Sequence, residues 1–379
     1  MNASPSVQVC TRCIMDSTIP NVKFDERGIC NHCKIHDHLN RLYPVGDEGD
    51  RILRRIAEKI KKSGEGKPYD CIVGLSGGRD TCYCLYKTKQ LGLRPLAVHF
   101  DNGWDSDIAK NNIRKICTKL DVDLHTIIAD WEESRELTNC TIRASLPYID
   151  LTDDIGIISA LYRTAADEGI HWIIHSHSFR AEGINPLAWN YVDGRFVRSL
   201  IKRFCRIKLK QFKNTDLHHF LYWIFVKRIR VFTMTNYYAD TDPEIDAFMK
   251  KEFGWEDTGG WHFDNELFGL QCYYSRHKFG IDWRTVELSA LVREGAMTRE
   301  AALKEIAEIP PIERKEIVDY ALKKQGITQE EFEEIMKAPK NSSTTTPPGT
   351  RCSRPLSFPS NPLPHARPPP HAYEKYFEL

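Results

Sequence analysis

The chain has 379 residues, of which 41% are hydrophobic and 11% aromatic, which is enough to bury a substantial core. Its formal net charge is +1, so extensive nucleic-acid binding is not expected, and we predict no nucleic-acid partner. No apolar run approaches the roughly 18 residues that cross a bilayer and no secretory signal is visible, so we expect a cytoplasmic protein without a transmembrane segment.

Two Cys-x-x-Cys pairs lie near the beginning of the chain: Cys10 with Cys13, and Cys30 with Cys33. Four thiolates complete the tetrahedral coordination of Zn²⁺ and leave no position for water. Residues 1–40 are therefore predicted to form a zinc-binding ribbon with a structural site. The alternative, four free surface thiols, is unfavourable in a soluble protein. Three nearby histidines are expected to be solvated rather than metal ligands: His32, His36 and His38.

Residues 41–200 show the alternation of an α/β fold. A helix is predicted from Asp50 to Lys62, where isoleucines recur on one face. Short apolar runs then alternate with helical stretches, which indicates a parallel sheet covered on both faces. The predicted strands are residues 69–75, 94–100, 122–128 and 170–176, and the predicted helices are 81–91, 106–120 and 152–168. Ligands of such sheets bind beyond the carboxyl ends of the strands.

The stretch Ser76-Gly77-Gly78-Arg79-Asp80-Thr81 joins the first of these strands to the next helix. Glycines at a helix N-terminus let backbone N–H groups approach a phosphate, and the two hydroxyls add donors. Asp80 is predicted to hold a Mg²⁺ that the phosphates share. The pattern is not a Walker A motif; it resembles the PP-loop of ATP pyrophosphatases, which cleave ATP at the α-phosphate. An ordinary strand-to-helix turn is the alternative.

Residues 201–337 are predicted to form a basic-aromatic segment followed by helices, with helix starts at Thr298, Pro311 and Thr328. Nine Lys/Arg residues occur between Lys202 and Arg230. This segment is a solvated helix with its aromatic face on the core, a docking site for a partner, or a surface for peripheral membrane association. Residues 338–379 hold ten of the 20 prolines and are predicted to be a disordered tail.

Several longer sequence boxes resemble one family. They are the cysteine box, the Ser-Gly-Gly-Arg-Asp-Thr stretch, and the segments His177–Gly183, Tyr191–Arg195 and Lys278–Arg284. Together, over residues 8 to about 337, they are similar to the N-acetyl sugar amidotransferases of bacterial surface-polysaccharide synthesis. The resemblance implies an open parallel sheet of the PP-loop ATP pyrophosphatase (adenine nucleotide alpha-hydrolase-like) type, with an N-terminal four-cysteine zinc ribbon and a helical C-terminal region.

The resemblance also implies a reaction. The acetamido oxygen of a nucleotide-linked (UDP-) sugar attacks the α-phosphate of ATP, pyrophosphate leaves, and ammonia then displaces AMP to give an acetamidino group. Ammonia would come from a separate glutaminase subunit, and the product would enter O-antigen or other lipopolysaccharide synthesis. Expected cofactors are ATP, Mg²⁺ and Zn²⁺.

Site residues follow from the same resemblance. Those implied for ATP are Ser76, Gly77, Gly78, Asp80, Thr81 and Asp101, and those implied for catalysis are Asp80, Arg180 and Glu182. The substrate set is His177, Ser178, Arg180, Glu182, Asp193, Arg195, Lys278 and Arg284, with His262 as a weaker candidate. Arg180 is expected to pair with a phosphate or carboxylate. Glu182 is expected to bind metal or to handle an ammonium proton.

Two other functions stay open. A tRNA-thiolating PP-loop enzyme would need a reactive cysteine, for which Cys140 in a predicted loop is the candidate, and a basic face for tRNA. A zinc-ribbon binding protein with an inactive nucleotide fold is the alternative of another class, although the intact Asp80 and Thr81 argue against it.

Overall fold

The computed structural model describes residues 7–341, except 239, 241, 260, 261, 263 and 309. Of the predicted tail only 338–341 are among them. Five strands form a single parallel sheet in the order β3-β2-β1-β4-β5. They are β1 Cys71–Gly74, β2 Pro95–Asp101, β3 Leu124–Ile128, β4 Trp172–His175 and β5 Arg230–Thr233. The predicted open parallel α/β sheet is confirmed.

The described residues contain fifteen α-helices. Those up to β5 are α1 Asn31–Leu42, α2 Gly46–Ser63, α3 Arg79–Gln90, α4 Asp107–Leu120, α5 Trp131–Arg143, α6 Leu151–Asp167, α7 Leu187–Asn190, α8 Gly194–Phe204 and α9 Leu217–Leu221. The later ones are α10 Asp242–Phe253, α11 Phe268–Tyr274, α12 Arg284–Glu294, α13 Arg299–Ala307, α14 Lys315–Gln325 and α15 Gln329–Lys337. Helical turns at Tyr222–Val226 and Ser275–Phe279 extend α9 and α11.

Strand β1 lies at the centre of the sheet. The chain runs outward from β1 to β2 and β3, then crosses to β4 and β5 on the opposite side. The strand order therefore reverses between β1 and β4, and a doubly wound sheet binds ligands beyond the carboxyl ends of the strands at such a point. The turn after β1 lies at that position.

Successive residues of β1 face opposite layers, as a strand requires. Ile72 packs in a cluster with Leu161 of α6, whereas Val73 packs with Leu85 of α3. Helices cover both faces, so β1, β2 and β4 are largely buried and apolar, whereas the edge strands β3 and β5 are more exposed. This burial fixes the strand ends on which the site is built.

The N-terminal ribbon packs on the C-terminal helices. Its four cysteines share a buried cluster with Trp283 and Val286, and α1 contacts α12. The expectation of solvated histidines is wrong for His32 and His36, which are each 1% exposed. They are buried because α1 lies beneath this packing.

Several elements differ from the predictions. Helices α1 and α5 were not predicted, and β5 comes from the basic-aromatic segment. The sheet therefore extends past the predicted domain boundary at residue 200, which falls within α8. Among the described residues, no helix is both long and apolar enough to cross a membrane.

Candidate functional site

The turn between β1 and α3 is held in shape by its glycines and by two distant side chains. Gly77 has φ +86°, and a Cβ there would lie 2.3 Å from the carbonyl oxygen of Ala109. Only glycine fits, because that backbone conformation and that close approach both exclude a side chain. The Gly77 carbonyl accepts hydrogen bonds from Asn112 Nδ2 at 3.2 Å and from Trp255 Nε1 at 3.1 Å. Neither donor was predicted.

The hydroxyls of the turn bind the turn itself. Thr81 Oγ1 accepts from the Ser76 N–H at 3.2 Å and donates to the Gly78 carbonyl at 3.1 Å. Ser76 Oγ accepts from the Gly78 N–H at 3.3 Å. The first helical hydrogen bond of α3 is made by the Cys82 N–H, to Gly78. The N–H groups before it therefore point out of the helix end, where an anion is stabilised.

Carboxylates lie around this helix end. Asp80 Oδ1 accepts from Arg79 Nε at 2.9 Å. A Cβ on Gly78 would lie 3.2 Å from Asp264 Oδ2, which places that carboxylate against the turn. The pKa of Asp150 is raised to about 7, mainly by burial and to a smaller extent by the negative charge of Asp264, although a hydrogen bond from Asn265 opposes both. Carboxylate oxygens are the ligands that Mg²⁺ prefers, so Asp80 and Asp264 fit a bound Mg²⁺.

The end of β2 is tied to the turn through His99. Its Nδ1 donates to the Leu75 carbonyl at 2.8 Å, and its Nε2 lies 3.0 Å from Asp105 Oδ2. Burial lowers the pKa of His99, but the hydrogen bond and charge of Asp105, together with smaller effects of Leu75 and Asp101, leave the pKa above its ordinary value. His99 therefore links the chain after β1 to Asp105 in the loop after β2. Asp101, predicted to handle the nucleoside, accepts from the Gly103 N–H at 2.8 Å and lies beside His99.

The loop after β4 brings His177 and Glu182 together. His177 Nδ1 lies 2.5 Å from Glu182 Oε2, and Glu182 Oε1 accepts from the Ser178 N–H at 3.2 Å. Burial lowers the pKa of His177, but the negative charges of Glu182 and, more weakly, of Asp80 leave it raised. Burial also opposes ionisation of Glu182, yet the His177 charge lowers its pKa to about 2, with a smaller effect of His262. This pair therefore lies within electrostatic reach of Asp80.

Arg180 lies on the same loop, but its side chain is used elsewhere. It donates to Asn40 Oδ1, to Glu294 at 3.0 Å and to the Tyr43 carbonyl at 2.6 Å. These bonds tie the loop to α1 and α12. The predicted pairing with a phosphate or carboxylate gains no support from this geometry, because the guanidinium is already bound within the fold.

Three further predicted substrate residues also have structural partners. Asp193 caps α8 by accepting from the Phe196 N–H at 2.7 Å. Lys278 is buried and donates to Ser145 Oγ at 3.1 Å and to carbonyls of the C-terminal segment. Arg284 pairs with Asp282 at 2.8 Å and donates to carbonyls at the end of α13. These contacts explain why Asp193, Lys278 and Arg284 occur at their positions. Arg195 is exposed, and its role in substrate binding remains a prediction.

The four ribbon cysteines form a compact cluster in which all sulfur atoms lie within 4.8 Å of one another. Three of the sulfur pairs are 3.6 to 3.9 Å apart. A tetrahedral Zn²⁺ with ligands at about 2.3 Å separates its sulfurs by about 3.8 Å, so the cluster fits that ion. Arg293 Nη2 lies 3.4 Å from Cys13 Sγ and offsets thiolate charge.

Cys140, the candidate sulfur-handling residue of a tRNA-thiolating enzyme, lies within α5 rather than in a loop. It is buried and bonded to Cys205 in a disulfide. Its predicted position is wrong because α5 was not recognised, and α5 packs against α8, which ends next to Cys205.

Comparison with known proteins found similar solved structures, similar sequences and one matching family model. Two solved structures, the NH3-dependent NAD synthetase of Campylobacter jejuni and the U34-tRNA thiolase NcsA of Methanococcus maripaludis, are each 12% identical with a TM-score of 0.33. The first match covers 69% of this chain and 97% of that one, and the second covers 80% and 89%. Because these TM-scores are low, the fold assignment rests on the strand order and on the turn after β1, and not on the two matches.

Relatives were also found in sequence. The uncharacterized protein MJ1599 of Methanocaldococcus jannaschii is 22% identical over 322 residues, which cover 84% of this chain and 99% of that protein. The tRNA(Ile)-lysidine synthase of Chlamydia pneumoniae is 32% identical over 72 residues, 18% of this chain and 23% of that protein.

A family model described as "LPS biosynthesis protein WbpG-like, C-terminal domain" matches residues 233–346. This range includes Trp255 and Asp264, which contact the turn after β1. It also includes Arg293 and Arg299, which contact the ribbon. It agrees with the resemblance to a surface-polysaccharide family. Residues 233–346 of the chain are therefore similar to the C-terminal domain of the WbpG-like LPS biosynthesis proteins.

Proposed function

We propose that this protein is an ATP-dependent amidotransferase of surface-polysaccharide synthesis. It would convert an acetamido group of a nucleotide-linked sugar to an acetamidino group, releasing AMP and pyrophosphate. The observation that carries the proposal is the Gly77-Gly78 turn at the point where the strand order reverses, with Asp80, Asp264 and Glu182 around it. The WbpG-like domain supplies the biosynthetic context.

Activation of the sugar is the step that needs ATP. An amide oxygen is a poor leaving group, and transfer of the AMP moiety to it makes displacement by ammonia feasible. Backbone N–H groups at the start of α3 would hold the phosphates, and a Mg²⁺ held by Asp80 and Asp264 would offset charge that develops on them. The rigid Gly77 backbone positions these donors in advance.

The His177–Glu182 pair fits an orienting role better than that of a base. A carboxylate whose pKa is about 2 accepts a proton weakly at neutral pH. Its charge instead favours a cation, and it holds His177 in one orientation. We propose that Glu182 positions ammonium or metal near the adenylylated sugar and that His177 donates a hydrogen bond to the substrate.

The ribbon would hold one structural Zn²⁺, since four thiolates leave no open coordination position. A separate glutaminase subunit would supply ammonia, as the resemblance implies. The thiolation alternative is less well supported, because its candidate Cys140 is bonded to Cys205 within the fold.

The test is an assay with ATP, Mg²⁺, ammonia and UDP-linked N-acetyl sugars. The expected products are AMP, pyrophosphate and a sugar nucleotide in which an NH group has replaced one oxygen, identified by its mass. AMP release that requires tRNA and a sulfur donor would support thiolation instead. Absence of ATP turnover with every acceptor would support the inactive binding protein.

A further inference from the structure

The segment after α8 carries an exposed apolar face. In Leu217–Val226, which comprises α9 and the turn that extends it, Phe225 is 67% exposed and Val226 65% exposed. Leu217, Leu221 and Tyr222 are exposed as well. These five positions recur at intervals of about one helical turn, so they share one side. Five exposed large apolar residues within ten exceed the scattered exposure that is normal for a protein surface.

The opposite side of the same helix is anchored. Trp223 is buried and its ring stacks on Tyr162 of α6 at 4.9 Å, while Phe220 meets the same tyrosine ring edge-on at 5.5 Å. One aromatic face of the helix is therefore packed against α6. The exposed face belongs to a helix with a fixed position rather than to an unsupported loop.

Positive charge surrounds this face. Residues 202–230 contain nine Lys/Arg residues and a single acidic one, Asp216. Asp216 pairs with Arg198, and eight of the nine cations are exposed. The chain as a whole has a net charge of only +1, so positive charge is concentrated in this stretch.

Buried carboxylates hold the basic stretch in place. The backbone N–H groups of Gln211 and Phe212 donate to Glu133 of α5 at 2.9 and 2.7 Å, and that of Arg206 donates to Glu136. Because these glutamates bind the backbone of the stretch rather than its side chains, the lysines of the stretch remain directed to the surface. Lys208, Lys210 and Lys213 are all exposed.

We propose that residues 202–231 form a peripheral binding surface for an anionic lipid bilayer, with the face formed by Leu217, Leu221, Tyr222, Phe225 and Val226 entering the headgroup region. Aromatic and aliphatic side chains flanked by many lysines and arginines are the composition of interfacial helices. A protein partner fits less well, since lysine is depleted from protein interfaces and five of the nine cations are lysines.

The test is co-sedimentation of the full chain with vesicles of phosphatidylcholine alone or with about one-third phosphatidylglycerol. We expect binding to the anionic vesicles only, decreasing as salt is raised. Phe225→Ser with Val226→Ser should reduce the partition coefficient roughly tenfold or more, because both exposed apolar side chains are lost. Both positions are exposed, so the fold should persist, which circular dichroism checks.

A matched control is Leu124→Ser on the opposite edge strand, β3, where the leucine is 40% exposed. It should leave vesicle binding unchanged. Equal binding to neutral vesicles, or unchanged binding of the double variant, would overturn the proposal. So would absence of vesicle binding together with loss of glutamine-dependent but not ammonia-dependent activity in the double variant, because the surface would then be the glutaminase dock.

Discussion

Trp255 Nε1 donates to the carbonyl oxygen of Gly77 at 3.1 Å, a hydrogen bond between residues 178 positions apart. Through this bond the C-terminal region holds the turn after β1 in place. We expect Trp255→Phe to raise the KM for ATP and to slow pyrophosphate release, because the turn loses a buried donor while the packing of the ring is kept. The free energy of unfolding should fall by about 1 kcal/mol.

Trp283→Phe is the matched control for this change. Trp283 is equally buried and its Nε1 donates to Ser275 Oγ at 2.8 Å, away from the turn. It should lower stability by a similar amount and leave the KM for ATP unchanged. Equal kinetic effects of the two variants would show that Trp255 acts only through stability.

Asp80→Ala should abolish pyrophosphate release, since a carboxylate at the start of α3 is needed to hold the metal shared with the phosphates. Zinc content, measured by elemental analysis, should not change. Asp246→Ala is a suitable control because Asp246 also lies near Arg79, at 3.9 Å, but belongs to α10. Loss of zinc in Asp80→Ala would indicate a fold defect instead.

Zinc removal should destabilise the ribbon and the helices on which it packs. Cys13→Ser is expected to lose the metal and to lower Tm markedly, because binding of a structural zinc contributes directly to folding. Cys117→Ser, at a buried cysteine outside the cluster, should keep the metal. A stoichiometry of one zinc in the Cys117 variant and none in the Cys13 variant checks this expectation.

Two histidine–glutamate pairs have the same 2.5 Å separation, but the pKa values of their histidines should be shifted in opposite directions. Burial lowers the pKa of His36 despite its bond to Glu294, because the ring is almost completely buried and packs against Phe179. The pKa of the more exposed His177 is raised, since the charge of Glu182 outweighs burial. NMR titration of the imidazoles without Mg²⁺ should place His177 above its ordinary 6.5 and His36 below it.

The same shifts fix the pH range in which the His177–Glu182 pair stabilises the fold. The raised pKa of His177 gives a contribution that is complete below 6.5 and is lost as pH rises through the folded value. The lowered pKa of Glu182 gives one that is complete above 4.5 and is lost as pH falls towards about 2. Glu182→Gln should therefore cost most stability between pH 4.5 and 6.5, by denaturant unfolding. A stability difference that is constant across pH would contradict the ion pair.

The sequence could predict β1 to β4 because each contains a short apolar run, which is largely buried in the three central strands β1, β2 and β4. Strand β5 was missed because it lies at the sheet edge, where Arg230 and Val231 are exposed and no apolar run marks it. Helix α5 was missed because its sequence is largely polar and its buried glutamates bind the backbone of a later segment.

Only the part of the site that is contiguous in the sequence could be predicted. The turn Ser76–Thr81 is a contiguous pattern, whereas Trp255 and Asp264 reach it from far along the chain and have no motif of their own. Lys278 and Arg284 were assigned to substrate because they belong to conspicuous boxes. Burial and carbonyl partners, which the sequence does not display, instead explain why those positions are basic.

The contacts of the ribbon also have a consequence for biosynthesis. Arg299 donates to the carbonyls of Cys10 and Cys13, and Arg293 contacts the Cys13 sulfur across 280 positions of sequence. Translation therefore produces these two cysteines at least 280 residues before the arginines that contact them. A nascent or truncated chain that ends before residue 293 has the four thiols but neither guanidinium, so we expect it to hold Zn²⁺ less tightly than the full chain.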